Sequence, residues 1–244
     1  KVALAVAPDE ARLVERDGRL LHRLGRDDEA LPTLRHALEL KPQNPELRAY
    51  LLALQPKERG TDLARAWAVE VPELIRKAPK TEARDRARVL LDSSVTRVHP
   101  NGLSETYQQR VVEILDERGA REEAQADVRY TPDTQSVEIR AARVYKRSGE
   151  VVEATSTAEH DVSEPWYGLY YDVKAQVIEF DALEPGDVID VEYVVSDTAR
   201  RNMFADYFGD LHFLQEEIPR LETRYVLIAP KGKTLYFNKP RLAG

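Results

Sequence analysis

The chain has no cysteine. That absence removes thiolate nucleophiles, disulfides, thiolate zinc sites and iron–sulfur clusters together. It also lacks any apolar run approaching the ~20 residues that a membrane-spanning helix needs. Aromatic residues make up only 7% of the 244, but the 42% hydrophobic content is enough to build a core, so the composition is that of a folded rather than a disordered chain. The length suits one large domain or two ordinary ones.

Positive charge is scarce where strands are expected. Lys and Arg number 15 against 13 Asp and Glu over residues 1–80, and 21 against 30 over residues 81–244, giving net charges of +2 and −9. An acidic second part repels nucleic acid and anionic membrane surfaces, which demotes both as partners. No secretory signal is visible, and the opening residues already carry a helical pattern, so the natural N-terminus is expected to lie further upstream.

A repeat opens the chain. Ala3-Leu-Ala-Val-Ala-Pro8 recurs as Ala37-Leu-Glu-Leu-Lys-Pro42, a spacing of 34 residues, with Gly18, Leu21, Gly25, Ala30 and Leu34 between them. Small residues at Gly18, Ala30 and Ala37 let paired helices approach, and Leu21 and Leu34 fill the gap. Gly25 stops the first helix, Asp27-Asp28 place negative charge at the next N-terminus, and Pro42 ends the second helix. This stretch resembles a tetratricopeptide repeat, whose helix–turn–helix unit has that period. It departs from the pattern at Asp17 and Val14, where leucine and tryptophan are usual. Residues 45–54 open a further helix, and 55–80 stay helix-favouring without repeat spacing.

From Val89 the texture changes to strands. Val89–Val98 and Leu103–Leu115 flank the turn His99-Pro-Asn-Gly102. Ala124, Ala126, Val128 and Tyr130 alternate with polar residues at the period of a half-buried strand. Further strands are expected at Ser136–Tyr145, Val151–Val152, Leu221–Ile228 and Thr234–Phe237. Two rich segments, Val173–Phe180 and Val188–Val195, are joined by Leu183-Glu-Pro-Gly-Asp187. Pro185 and Gly186 suit a type II turn, which predicts a β-hairpin.

Across residues 89–244 the order of features resembles a bacterial domain of unknown function found before transglutaminase-like domains. The residues that carry it are Val98-His-Pro-Asn-Gly-Leu103, Arg143-Val-Tyr145 with Gly149, Trp166-Tyr-Gly-Leu-Tyr-Tyr171, Leu183-Glu-Pro-Gly-Asp-Val-Ile189 with Glu192-Tyr193, and Tyr225-Val-Leu-Ile-Ala-Pro230. The resemblance implies a β-sandwich, a periplasmic or cell-envelope setting, and a Cys-His-Asp enzyme domain downstream.

The expected architecture is α+β and multidomain: a tetratricopeptide-like helical segment over 1–80, a junction over 81–88, and an antiparallel β-sandwich over 89–244. No metal, cofactor or catalytic residue is expected. Asp206, Asp210 and His212 lack the spacing of a helical histidine pair or a calcium loop. His99 and His160 have no visible nucleophile, and Ser163 and Ser196 lack a nucleophile-elbow motif. Binding candidates are Trp166, Tyr170 and Phe208, as a contiguous aromatic patch, with Arg200 and Arg201 as a pair able to grip a carboxylate or phosphate. The expected role is a non-catalytic scaffold, with a protein or peptide on the helical repeat and the sandwich positioning the downstream domain. A carbohydrate-binding module using the exposed aromatics and a hydrolase sited on the sandwich are the alternatives.

Overall fold

The structure, a computed structural model, describes residues 9–41, 44–54, 62–79, 85–162, 173–198, 208–212 and 216–237. It is α+β: helices come first, followed by a mostly antiparallel β region. Among the described residues, no helix is long and apolar enough to cross a membrane.

Helix α1 (Ala11–Arg23) buries Val14, Gly18 and Leu21, spaced to share one helical face. It ends as expected at Gly25, whose φ is +71°. The Gly25 N–H donates to His22 O at 2.8 Å and the Arg26 N–H to Leu21 O at 3.0 Å, the paired bonds of a left-handed helix stop. Helix α2 (Asp27–Leu40) packs back on α1, and Gly18 lies so close that a Cβ there would sit 2.5 Å from Leu34 Cγ. Helix α3 (Pro45–Leu54) is capped by Asn44, whose Oδ1 accepts the Leu47 N–H at 3.0 Å. Val14, Leu34, Ala37, Leu38, Leu47 and Leu51 form one cluster joining the three helices.

Two short helices, α4 (Leu63–Trp67) and α5 (Val71–Lys77), lead to the strands. The strands are β1 (Ala87–Val98), β2 (Ser104–Ile114), β3 (Gln125–Tyr130), β4 (Gln135–Tyr145), β5 (Val151–Glu153), β6 (Ser156–Asp161), β7 (Lys174–Glu179), β8 (Val188–Asp197) and β9 (Thr223–Ile228), with helix α6 (Glu117–Glu122) between β2 and β3. A six-stranded sheet has the order β5-β4-β8-β2-β1-β9, and a three-stranded sheet the order β3-β7-β6. Ile114, Ala142, Val144, Ile189 and Val191 of the large sheet share a cluster with Val128 and Ile178 of the small one and with Phe180 just after β7.

Four features depart from the reading of the sequence. The expected hairpin over 173–195 does not form. Gly186 does take a positive φ of +97°, but β7 pairs with β3 and β6 while β8 pairs with β2 and β4. The chain arches from one sheet to the other, because Ile178 and Phe180 meet Ile189 and Val191 face to face in the shared cluster. The Pro-Gly turn serves that arch: the Gly186 N–H donates to Ile114 O at 2.8 Å, and the buried Asp187 side chain accepts from Lys146 Nζ at 2.8 Å and the Glu184 N–H at 2.9 Å.

Second, β9 runs parallel to β1, so the large sheet is mixed. Third, β6 and α6 were not anticipated, and residues 234–237 form no strand. Finally, α4 and α5 lie on the sheet. Leu63 packs with Val95, Tyr107 and Val194, and Val71 and Leu74 pack with Leu90, Leu91, Val111 and Val188. With those helices on one side and residues 216–222 along its edge, β1 is buried along nearly its whole length.

Candidate functional site

Strand β8 alternates in the usual way, and its helix-facing side carries Val188, Asp190, Glu192 and Val194. Two acids therefore point into a layer otherwise filled by α4, α5 and apolar neighbours. Antiparallel pairing sets Gln109 of β2 opposite Glu192, and Arg143 of β4 opposite Asp190. Arg143 Nη2 donates to Asp190 Oδ2 and to Glu192 Oε1, each at 2.8 Å. The Tyr107 hydroxyl donates to Glu192 Oε2 at 2.8 Å. Gln109 Nε2 reaches Asp190 Oδ1 at 3.2 Å and Val69 O at 2.9 Å, and Gln109 Oε1 accepts the Val69 N–H at 2.8 Å.

Burial raises the Asp190 pKa from 3.8 to about 6; the Gln109 hydrogen bond opposes this and the charge of Glu192 adds to it. Burial, and then the bond to Glu192, pushes the Tyr107 hydroxyl well above its ordinary value, so it stays neutral and donating. Asp190 could exchange a proton near neutral pH, yet its side chain has 0% exposure. No substrate reaches a carboxylate sealed in this way. The cluster joins strands and linker, and its most solvent-exposed member is Arg143, whose side chain is 31% exposed.

A second polar group lies beside β9. The Tyr225 hydroxyl donates to Asp210 Oδ2 at 2.9 Å, and the His212 ring lies 5.2 Å from the Tyr225 ring at an interplanar angle of 36°. Burial and the Asp210 bond raise the Tyr225 pKa, which keeps the phenol from acting as a base. His212 Nε2 is buried without a hydrogen-bond partner among the described residues. Among those residues, no three His, Asp or Glu side chains converge as metal ligands.

The helical segment holds a cavity of about 330 Å³ lined by Ala11, Arg12, Glu15, Ala37, Lys41, Asn44 and Glu46. Asn44 shapes its wall: Nδ2 donates to Glu15 Oε2 at 2.9 Å, and Glu15 also accepts from Arg19 at 2.8 Å. Arg19 lies 4.3 Å over the Tyr50 ring, continuing the polar surface along α1 toward α3.

Of the residues singled out from sequence, Trp166, Tyr170, Arg200, Arg201, Asp206 and Ser163 lie outside the described residues. Phe208 is half-buried in the short stretch 208–212. The proposed juxtaposition of Trp166, Tyr170 and Phe208 thus also falls outside what is described. His99 sits in the β1–β2 turn, His160 is exposed on β6, and Ser196 lies within β8 opposite Glu105 and Ser136. Sequence reasoning missed the buried network altogether. Its one signal was acids at 190 and 192, two apart, on the same face of a strand as Val188 and Val194. Arg143 and Gln109 come from other strands, and no spacing along the chain reveals them.

No curated protein matches the chain. A crystal structure of a "putative protease" from Parabacteroides distasonis is 20% identical, with a TM-score of 0.51; the match covers 62% of this chain and 30% of that one. The chain therefore spans under a third of that protein, and the likeness is one of fold. A CBM3a-L domain with flanking linkers, from a scaffoldin of the cellulosome of Clostridium thermocellum, is 15% identical over 46% of this chain and 68% of that one. Its TM-score of 0.27 carries no argument. Residues 100–243, more than half the chain, match the family described as a domain of unknown function with solved structure (DUF3857), and to that family this chain belongs.

Proposed function

We propose that the chain is a non-catalytic, protein-binding scaffold. A tetratricopeptide-like helical segment takes up a peptide, and a β-sandwich holds it in fixed relation to a transglutaminase-like domain downstream, in a bacterial cell-envelope protein. The observation that carries this reading is the cavity walled by Arg12, Glu15, Lys41, Asn44 and Glu46. It is polar and open between three helices that share a single apolar core. A concave site with a few fixed polar groups is suited to binding a short segment of chain. The 34-residue period and the close approach of Gly18 to Leu34 support the repeat reading. The cluster shared by the two sheets supports the sandwich reading. The non-catalytic part of the proposal rests on the sealed position of Asp190 and on a chain without cysteine.

A peptide-display selection against the intact chain tests it. Selected peptides should bind the Arg12→Glu, Lys41→Glu double variant at least about tenfold more weakly, a loss of about 1.4 kcal/mol. Binding should survive Arg129→Glu, a charge reversal at an exposed position of β3. Recovery of no peptide that depends on Arg12 or Lys41 would overturn the proposal. Turnover of amide or ester substrates by the purified chain would replace it with the hydrolase reading.

A further inference from the structure

The loop between α4 and α5 is held to the sheet by something close to a strand pairing made by one side chain. Gln109 accepts from the Val69 N–H at 2.8 Å and donates to the Val69 C=O at 2.9 Å. The nitrogen that grips Val69 also donates to Asp190 Oδ1 at 3.2 Å. Behind Gln109, Asp190 and Glu192 converge at 2.8 Å each on a single nitrogen of Arg143. Two carboxylates thus face one guanidinium, and the cluster has a formal charge of −1.

The groups around it do not supply the missing positive charge. On β2, Tyr107 donates its hydroxyl to Glu192. On β4, Tyr145 lies 5.9 Å below the Arg143 guanidinium, and Arg140 is engaged by Glu138 at 3.1 Å and Asp62 at 3.9 Å. From the loop, Glu70 adds only negative charge, felt at Tyr145. A buried net charge is costly, and the smallest counter-charge is a proton.

We propose that the loop 68–70, with α4 and α5, docks on the sheet through a proton-linked latch that closes more tightly as Asp190 takes up a proton. Arg143 keeps Glu192 as its partner when Asp190 is neutral, so protonation strands no cation. The direction follows from linkage. In the docked state burial, opposed by Gln109 and Arg143 and reinforced by Glu192, raises the Asp190 pKa from 3.8 to about 6. Undocking returns the carboxyl to water and relieves the burial that raises its pKa, while Arg143 and Glu192 stay beside it in the sheet. The docked state therefore binds the proton more tightly, and docking strengthens as pH falls through about 6.

Amide exchange at Val69, corrected for its intrinsic rate, reads the opening equilibrium directly. Between about pH 7.5 and about pH 5 the opening constant should fall about tenfold in the intact chain. Asp190→Asn, which mimics the neutral acid, should abolish that change. Glu192→Gln removes the like charge and should move the midpoint to lower pH; it decides the matter if Asp190→Asn does not fold. A wild-type change of less than about twofold, a step that survives Asp190→Asn, or a midpoint unmoved in Glu192→Gln overturns the proposal.

Discussion

Gly18 and Gly119 are both buried helical glycines, and alanine would fail at each for a different reason. In an open helix Gly→Ala gains about 1 kcal/mol of propensity. At Gly18 the new methyl would lie 2.5 Å from Leu34 Cγ, a side-chain atom of a fully buried leucine. Overpacking of this kind costs about 1–3 kcal/mol, so it outweighs the propensity gain by a modest margin. At Gly119 the methyl would lie 1.9 Å from the Arg86 carbonyl oxygen. That oxygen already accepts the Leu115 and Asp116 N–H groups at 3.0 and 3.2 Å and cannot give way without moving the start of β1. Urea unfolding should show Gly18→Ala destabilised by about 1 kcal/mol and Gly119→Ala by about 3 kcal/mol. Equal effects at the two sites would contradict this packing.

For the linker helices, the deciding contact is polar. Helices of five and seven residues have too few internal bonds to persist alone, so α4 and α5 depend on what they dock against. Leu63, Val71 and Leu74 supply apolar burial, while Gln109 fixes where the loop between them sits. Replacing Gln109 by Leu keeps the volume and leaves the Val69 N–H and C=O without their partner. That should cost about 2–3 kcal/mol in urea unfolding, whereas a loss under about 0.5 kcal/mol would mean that the loop finds other partners.

The molecule as a whole extends the β unit further toward the N-terminus than the change of texture at Val89 indicates. Leu63, Val71 and Leu74 each gain about 2 kcal/mol on burial against the large sheet. A shortened chain beginning at residue 62 should keep the cooperative unfolding of the β region. One beginning at residue 85 exposes Leu90, Leu91, Val111 and Tyr107, and should lose on the order of 5 kcal/mol or aggregate. Thermal unfolding of the two shortened chains distinguishes these outcomes, and equal Tm values would show the helices to be dispensable.

The alternation of Ala126, Val128 and Tyr130, the Asn-Gly turn at Gly102 and the glycine stop at Gly25 were legible in sequence, because each depends on local geometry: side-chain period, positive φ and capping. The same holds for the small residue Gly18, which lets its helix approach Leu34 of the next. Pairing partners were not legible. A Pro-Gly turn between two strand-like runs predicts a hairpin, yet whether β7 and β8 bond edge to edge or meet face to face depends on which other strands claim their edges. The parallel β9 was hidden for the same reason, since direction within a sheet leaves no local mark. The latch was hidden because its members, Val69, Gln109, Arg143 and Asp190, lie on four different elements and become neighbours only in the folded chain. Sequence determined what each segment could be, through short-range sterics and periodicity. Tertiary structure decided what each segment faces, because burial and charge pairing are properties of residues that the chain itself keeps far apart.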